Sequence, residues 1–118
     1  MNKKKVITLC GSLKLAQDIF NDTQMLLERS GHCCFSVGSS ERDYSHPTNT
    51  EKETLDKVHY RKISMSDCVL VLDINGHIGN STRNEITYAD VIGKPVFYLR
   101  DTGYFNNKSL LVEFMDHQ

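Results

Sequence analysis

The stretch Asp73-Ile-Asn-Gly-His-Ile-Gly-Asn-Ser-Thr-Arg-Asn-Glu85 holds more polar and turn-forming residues than a buried core can use. Gly76 and Gly79 permit tight backbone turns, while Asp73, Asn75, His77, Asn80, Ser81 and Glu85 supply polar groups for the mouth of a small-ligand site. Glu85 is its pivotal carboxyl. A plainer reading stands beside it, because Thr82-x-x-Glu85 also matches a capping box in which the carboxylate satisfies a backbone donor. Asp73 can likewise end a strand and hold a turn. A second locus is Gly11-Ser12, followed by Leu13. Where a strand hands over to a helix, backbone N–H groups and a serine hydroxyl face any anion at the helix N-terminus, and a phosphate suits that place. Equally, Gly11 can supply a turn and Ser12 a cap. His59 is a third candidate, an imidazole that titrates near neutral pH, although a lone histidine on a partly buried helix is more often structural.

The elements that must carry these residues follow from hydrophobic patterning. Lys5-Val-Ile-Thr-Leu-Cys10 reads as a buried strand ended by Gly11-Ser12. Residues 13–29 then place Leu15, Ile19, Met25 and Leu26 at helical spacing, with Ser30-Gly31 as the stop. A second strand is expected over 32–37 and a polar loop over 38–50, long enough to act as a lid or binding segment. Thr50 and Glu53 suggest a capping box for a second helix, whose buried stripe would be Leu55, Val58, Ile63 and Met65. Cys68-Val-Leu-Val-Leu-Asp73 is the clearest strand, followed by a loop over 74–80 and a third helix over 81–92 closed by Gly93. A fourth strand follows at Lys94-Pro-Val-Phe-Tyr-Leu99, and Leu110, Leu111, Phe114 and Met115 give the tail a short helix or a docking segment.

Four apolar strands alternating with helices specify right-handed βαβ crossovers. The expected fold is therefore a small doubly wound α/β domain, flavodoxin- or Rossmann-like, with a four-stranded parallel sheet in the order 2-1-3-4 and one domain spanning 1–118. In such sheets ligands bind outside the carboxyl ends of the strands where the strand order reverses. That rule selects the loops after strands 1 and 3, the two that hold Gly11-Ser12 and 73–81.

Composition narrows the partners. A formal net charge of −1 argues against a nucleic-acid polymer, whose backbone is held by a surplus of Lys and Arg. No apolar run approaches the ~20 residues that cross a bilayer, and Lys3-Lys4-Lys5 precedes too short an apolar stretch for a signal peptide, so a cytoplasmic protein with no membrane partner is expected. Cys10, Cys33, Cys34 and Cys68 lack the paired spacing of a zinc site and read as reduced, buried, small hydrophobes. No metal and no cofactor is expected.

Three segments together, Leu9-Cys-Gly-Ser-Leu13, Ser66-Asp-Cys-Val-Leu-Val-Leu-Asp73 and Gly79-x-Ser-x-x-x-Glu-Ile-x-Tyr-Ala89 with Gly93-Lys-Pro-Val96, resemble the nucleoside 2-deoxyribosyltransferase superfamily. Deoxynucleoside 5′-monophosphate N-glycosidases are included in that likeness, which spans residues 5–99. The resemblance implies that Glu85 is a nucleophile toward the anomeric carbon of a nucleoside sugar, splitting one difficult substitution into two easier ones. It places Gly11, Ser12, Gly79 and Ser81 in the sugar and phosphate pocket, with Asp73 near the sugar-contacting end of strand 3. The same loops put Leu13, Asn75 and Gly76 among the ligand-binding candidates. The helix N-terminus is expected to help keep Glu85 anionic. One position departs from the pattern: His59 stands where the family's enzymes carry an acid that handles the proton of the leaving base.

Two functions follow as expectations. One is an N-glycosidase or deoxyribosyltransferase working through Glu85 on a nucleoside or nucleotide; the other is a nucleotide-binding or signal-sensing module without turnover, favoured by the missing acid. A flavin carrier ranks below both, because the loop after strand 1 is short and lacks a hydroxyl-rich phosphate cradle. The resembling enzymes complete their pocket from a neighbouring chain, so a homodimer or higher homo-oligomer is expected, built on the third helix and the tail.

Overall fold

The computed structural model describes residues 4–36 and 48–118, with the side chains of residues 13–16 left aside. Four strands, β1 (Val6–Gly11), β2 (Cys33–Ser36), β3 (Cys68–Leu72) and β4 (Val96–Tyr98), form one sheet in the order β2-β1-β3-β4. Every pairing is parallel. Four helices, α1 (Leu13–Arg29), α2 (Asn49–Ser64), α3 (Asn80–Val91) and α4 (Ser109–Asp116), cover it. The chain is thus a doubly wound α/β fold with the strand order its pattern implied. Most of the loop expected at 38–50, and Val37, lie outside the described residues.

Period-two alternation sorts the sheet into two faces. On the first, Ile7 and Leu9 of β1 join Cys68, Leu70 and Leu72 of β3, with Phe20 and Leu27 of α1 and Leu111 and Met115 of α4 packed over them. On the second, Thr8 and Cys10 of β1 alternate outward beside Val69 and Val71, beneath Ile63 of α2 and Ala89 of α3. β3 is buried at every residue, as a central parallel strand covered on both faces must be.

The tail therefore folds back on its own sheet. Leu111 and Met115 are fully buried, Tyr104 donates to Asp22 Oδ2 of α1 at 2.5 Å, and Lys108 Nζ lies 2.9 Å from the same oxygen. His32 Nε2 meets Asp116 Oδ1 at 2.8 Å while its Nδ1 accepts the Lys5 N–H at 3.0 Å, tying the end of α4 to the starts of β1 and β2. Most of the apolar tail that was to serve a neighbouring chain is spent on the core.

Two further expectations are corrected. Helix α2 is capped by Thr48, whose hydroxyl accepts the Glu51 N–H at 3.1 Å, so its cap is the Thr48-Glu51 pair and not Thr50-Glu53. Its inner stripe runs through Leu55, His59 and Ile63, leaving Val58 40% and Met65 58% exposed, because the i, i+4 row that meets the sheet passes through His59. Cys10, Cys34 and Cys68 are buried free thiols as read, whereas Cys33 is exposed on the edge strand.

Candidate functional site

Glu85 sits on the inner stripe of α3 with Thr82 and Ala89, at i−3 and i+4, and all three are buried. The helix begins earlier than its capping pattern suggested. Gly79 is the N-cap, its carbonyl accepting the Arg83 N–H at 3.0 Å, so Thr82 and Glu85 both lie inside the helix. No capping box forms at Thr82-Glu85, and the plain reading of that carboxyl is removed.

The carboxyl points instead at the end of β1 and the middle of α2. Glu85 Oε2 accepts from the Cys10 thiol at 3.9 Å and lies 3.9 Å from His59 Nδ1. Burial pushes the Glu85 carboxyl up to about 7, the negative charge of Asp56 adds to the rise, and the thiol opposes it. This corrects the expectation that the helix N-terminus keeps Glu85 anionic: the dipole's influence fades within the first turn, and Glu85 lies in the second. Burial moves His59 the other way, below its ordinary value, with Lys62 assisting, Asp56 opposing and Lys52 assisting. The same burial therefore disfavours the charged form of each group, side by side. Beyond them Tyr60 stacks on Tyr88 with ring centroids 4.7 Å apart, and the Tyr88 hydroxyl meets Ser64 Oγ at 2.7 Å, which fixes α2 against α3.

Gly11 and Ser12 adjoin this cluster through Cys10. A Cβ on Gly11 would stand 3.0 Å from the Leu72 carbonyl oxygen, so a side chain there would push β1 away from β3 at the reversal of strand order. Ser12 is the N-cap of α1 by backbone conformation, yet its hydroxyl makes no cap bond. Leu13 opens that helix. Gly79 and the exposed Ser81 begin α3 at the carboxyl end of the adjacent strand β3.

Asp73 goes elsewhere. Its buried carboxylate accepts the Arg100 N–H at 3.3 Å on Oδ1, while Oδ2 lies 3.2 Å from Arg100 Nε without hydrogen-bond geometry. That pairing holds the turn after β4, and Arg100 in turn lies over the Tyr98 ring at 5.1 Å. Asn75 and Gly76 take left-handed φ of 52° and 74° in an exposed turn. Among the described residues no hydrogen bond or ion pair joins Asp73, Asn75 or Gly76 to Glu85. The site thus gathers Glu85 and His59 beside Gly11-Ser12, and adds two groups the patterning passed over. Cys10 was visible as the residue before Gly11 on the face opposite Leu9, and Asp56 as the acid one helical turn before His59.

No group of three potential metal ligands occurs among the described residues, and no helix among them is long and apolar enough to cross a membrane. No family model and no curated protein matches the chain.

Proposed function

We propose that this protein binds a nucleoside or nucleotide at the carboxyl ends of β1 and β3 and cleaves or transfers its N-glycosidic bond through Glu85. The observation that carries the reading is the buried Glu85 carboxyl beside His59 at the reversal of strand order, free of any capping duty. Anionic Glu85 attacks the anomeric carbon and the base departs with a proton; His59 is the donor within reach. Water then releases the sugar in a hydrolase, or a second base does so in a transferase. A 5′-phosphate is expected at the start of α1, where the Ser12 hydroxyl is not engaged in capping.

The productive pair carries one proton, on His59 and not on Glu85. Because Glu85 titrates near 7 and His59 below its usual value, that arrangement is the minor one of two singly protonated forms. The rate should therefore follow a bell, with an alkaline limb near pH 7 as the shared proton is lost. A rate that climbs through pH 7 and stays high would remove His59 as the donor and leave Glu85 acting alone. The preference for uncharged groups equally supports binding without turnover, and one experiment separates the two. Nucleosides and 5′-nucleotides are incubated with the protein while free base is followed by chromatography and ligand binding by thermal shift. Base release that disappears in a folded Glu85→Gln variant supports the enzyme, stabilisation without release supports the sensor, and neither response sinks the proposal.

A cytoplasmic setting and self-association belong to the same reading. With Leu111 and Met115 buried, the exposed apolar residues Met65, Val91 and Ile92 at the ends of α2 and α3 are the surface on which a second copy would pack. Sedimentation equilibrium at micromolar concentration, with and without nucleotide, tests this, and a persistent monomer contradicts it.

A further inference from the structure

Glu85 presents its two carboxyl oxygens to different surroundings. Oε2 is flanked by the Cys10 thiol and by His59 Nδ1, each at 3.9 Å. Oε1 has no hydrogen bond or ion pair among the described residues. Cys10 is itself fully buried at the end of β1, next to Gly11, in a strand pinned on both sides by β2 and β3.

We propose that Cys10 is a positioning residue for Glu85: its thiol donates to Oε2 and holds that oxygen on the strand side, so that Oε1 is the one presented to a ligand. A valine or alanine would fill the same apolar place on β1, but neither could donate. Burial and the adjacent carboxylate both keep Cys10 in the thiol form, so it is a donor and not a competing nucleophile. A thiol is a weak donor, suited to orienting a carboxylate whose attack must not be quenched by strong hydrogen bonding. The charged and titratable groups that face Glu85 are Cys10 from β1 and Asp56 and His59 from α2, with Lys52 and Lys62 acting on His59. Substitution at Cys10 leaves the others in place.

The assignment rests on Glu85 being the reactive carboxyl, and its test is arranged to fail separately from that reading. The Glu85 side-chain carboxyl is titrated by carbon-13 NMR in the wild type, Cys10→Ala and Cys10→Ser, with Glu85→Gln identifying the resonance. Alanine and serine remove the sulfur alike, and serine alone restores a donor. A donor to the anion lowers the midpoint, so Cys10→Ala should titrate at higher pH and Cys10→Ser should move back toward the wild type. Base release on the acidic side should fall about two- to tenfold in Cys10→Ala, the range of one net hydrogen bond, and recover in Cys10→Ser. An unchanged midpoint in Cys10→Ala, or identical titrations for the two variants, overturns the role of Cys10. Titrations that behave as expected in a protein releasing no base from any nucleoside or nucleotide uphold Cys10 and overturn the catalytic reading.

Discussion

The two faces of the sheet are built on different terms. Beneath α1 and α4, Ile7, Leu9, Leu70, Leu72, Leu111 and Met115 form one apolar cluster, and the buried hydroxyl of Thr23 on α1 bonds back to the carbonyls of its own helix. Beneath α2 and α3, the same strands turn out Thr8 and Cys10, met by His59 of α2, Ser66 of the turn after it and Glu85 of α3. Thr8 bonds to Ser66 and to the Lys62 carbonyl, both hydroxyls being satisfied, whereas Glu85 is left with a distant thiol and an imidazole. One face stores stability; the other spends some of it to hold an ionisable group where water is scarce. Such a group is costly unless paired, which is why its presence points to use.

The first way to break the comparison is to damage the packed face. Met115→Ala removes a fully buried side chain from the core and should cost about 2–5 kcal/mol in denaturant unfolding, from a residue three positions before Gln118. A loss under ~1 kcal/mol would mean that α4 is a loosely docked appendage. It would also restore the tail as a surface for a second copy.

The opposite face should respond with the opposite sign. Glu85 is raised from its ordinary 4.5 to about 7, so the folded state holds a proton that the unfolded state gives up between those values. Stability from this group is therefore present below pH 4.5, falls as pH rises through that window, and is missing above 7. Glu85→Gln cannot ionise. It should be more stable than the wild type by about 2–3 kcal/mol at pH 8, with the difference closing toward pH 4. Equal stability at both pH values would show that the carboxyl is better solvated than its burial suggests.

How far the sequence was legible follows the same division. The strands, their order and the packed face could be read because long apolar runs and turn residues carry that information locally. Gly11-Ser12 stood out as a candidate because it follows the end of β1, and Glu85 because it closes a polar run with a family-like pattern. What failed was anything decided by the phase of a helix against the sheet. A shift of the α3 start to Asn80 turned Thr82 and Glu85 from a capping box into an inward stripe, and α2 put His59 inside and Val58 and Met65 outside. Cys10 looked like filler because its partner lies 75 residues away. Asp73 read as a sugar contact, and its pairing with Arg100, 27 residues on and across β4, left no trace in the local pattern.

The smallest effect concerns two hydroxyls at helix starts. Thr48 caps α2 through the Glu51 N–H, and Ser12 stands at the same position of α1 without such a bond. If capping is the whole purpose of a hydroxyl there, both should matter alike. Thr48→Ala should cost ~1 kcal/mol, as lost caps do, because a backbone donor of the first turn is left to water. Ser12→Ala should stay within ~0.5 kcal/mol, since no cap bond is lost. Its cost should fall on binding instead. A 5′-monophosphate should bind the wild type more tightly than the matching nucleoside at low salt, because backbone N–H groups and the helix dipole favour a dianion over a neutral hydroxyl, and Ser12→Ala should narrow that gap. Calorimetry on paired ligands reads both quantities from the same preparations. A Ser12→Ala variant that loses ~1 kcal/mol of stability and keeps the full preference for phosphate would make Ser12 a cap like Thr48. The phosphate would then have to be held elsewhere on the carboxyl edge.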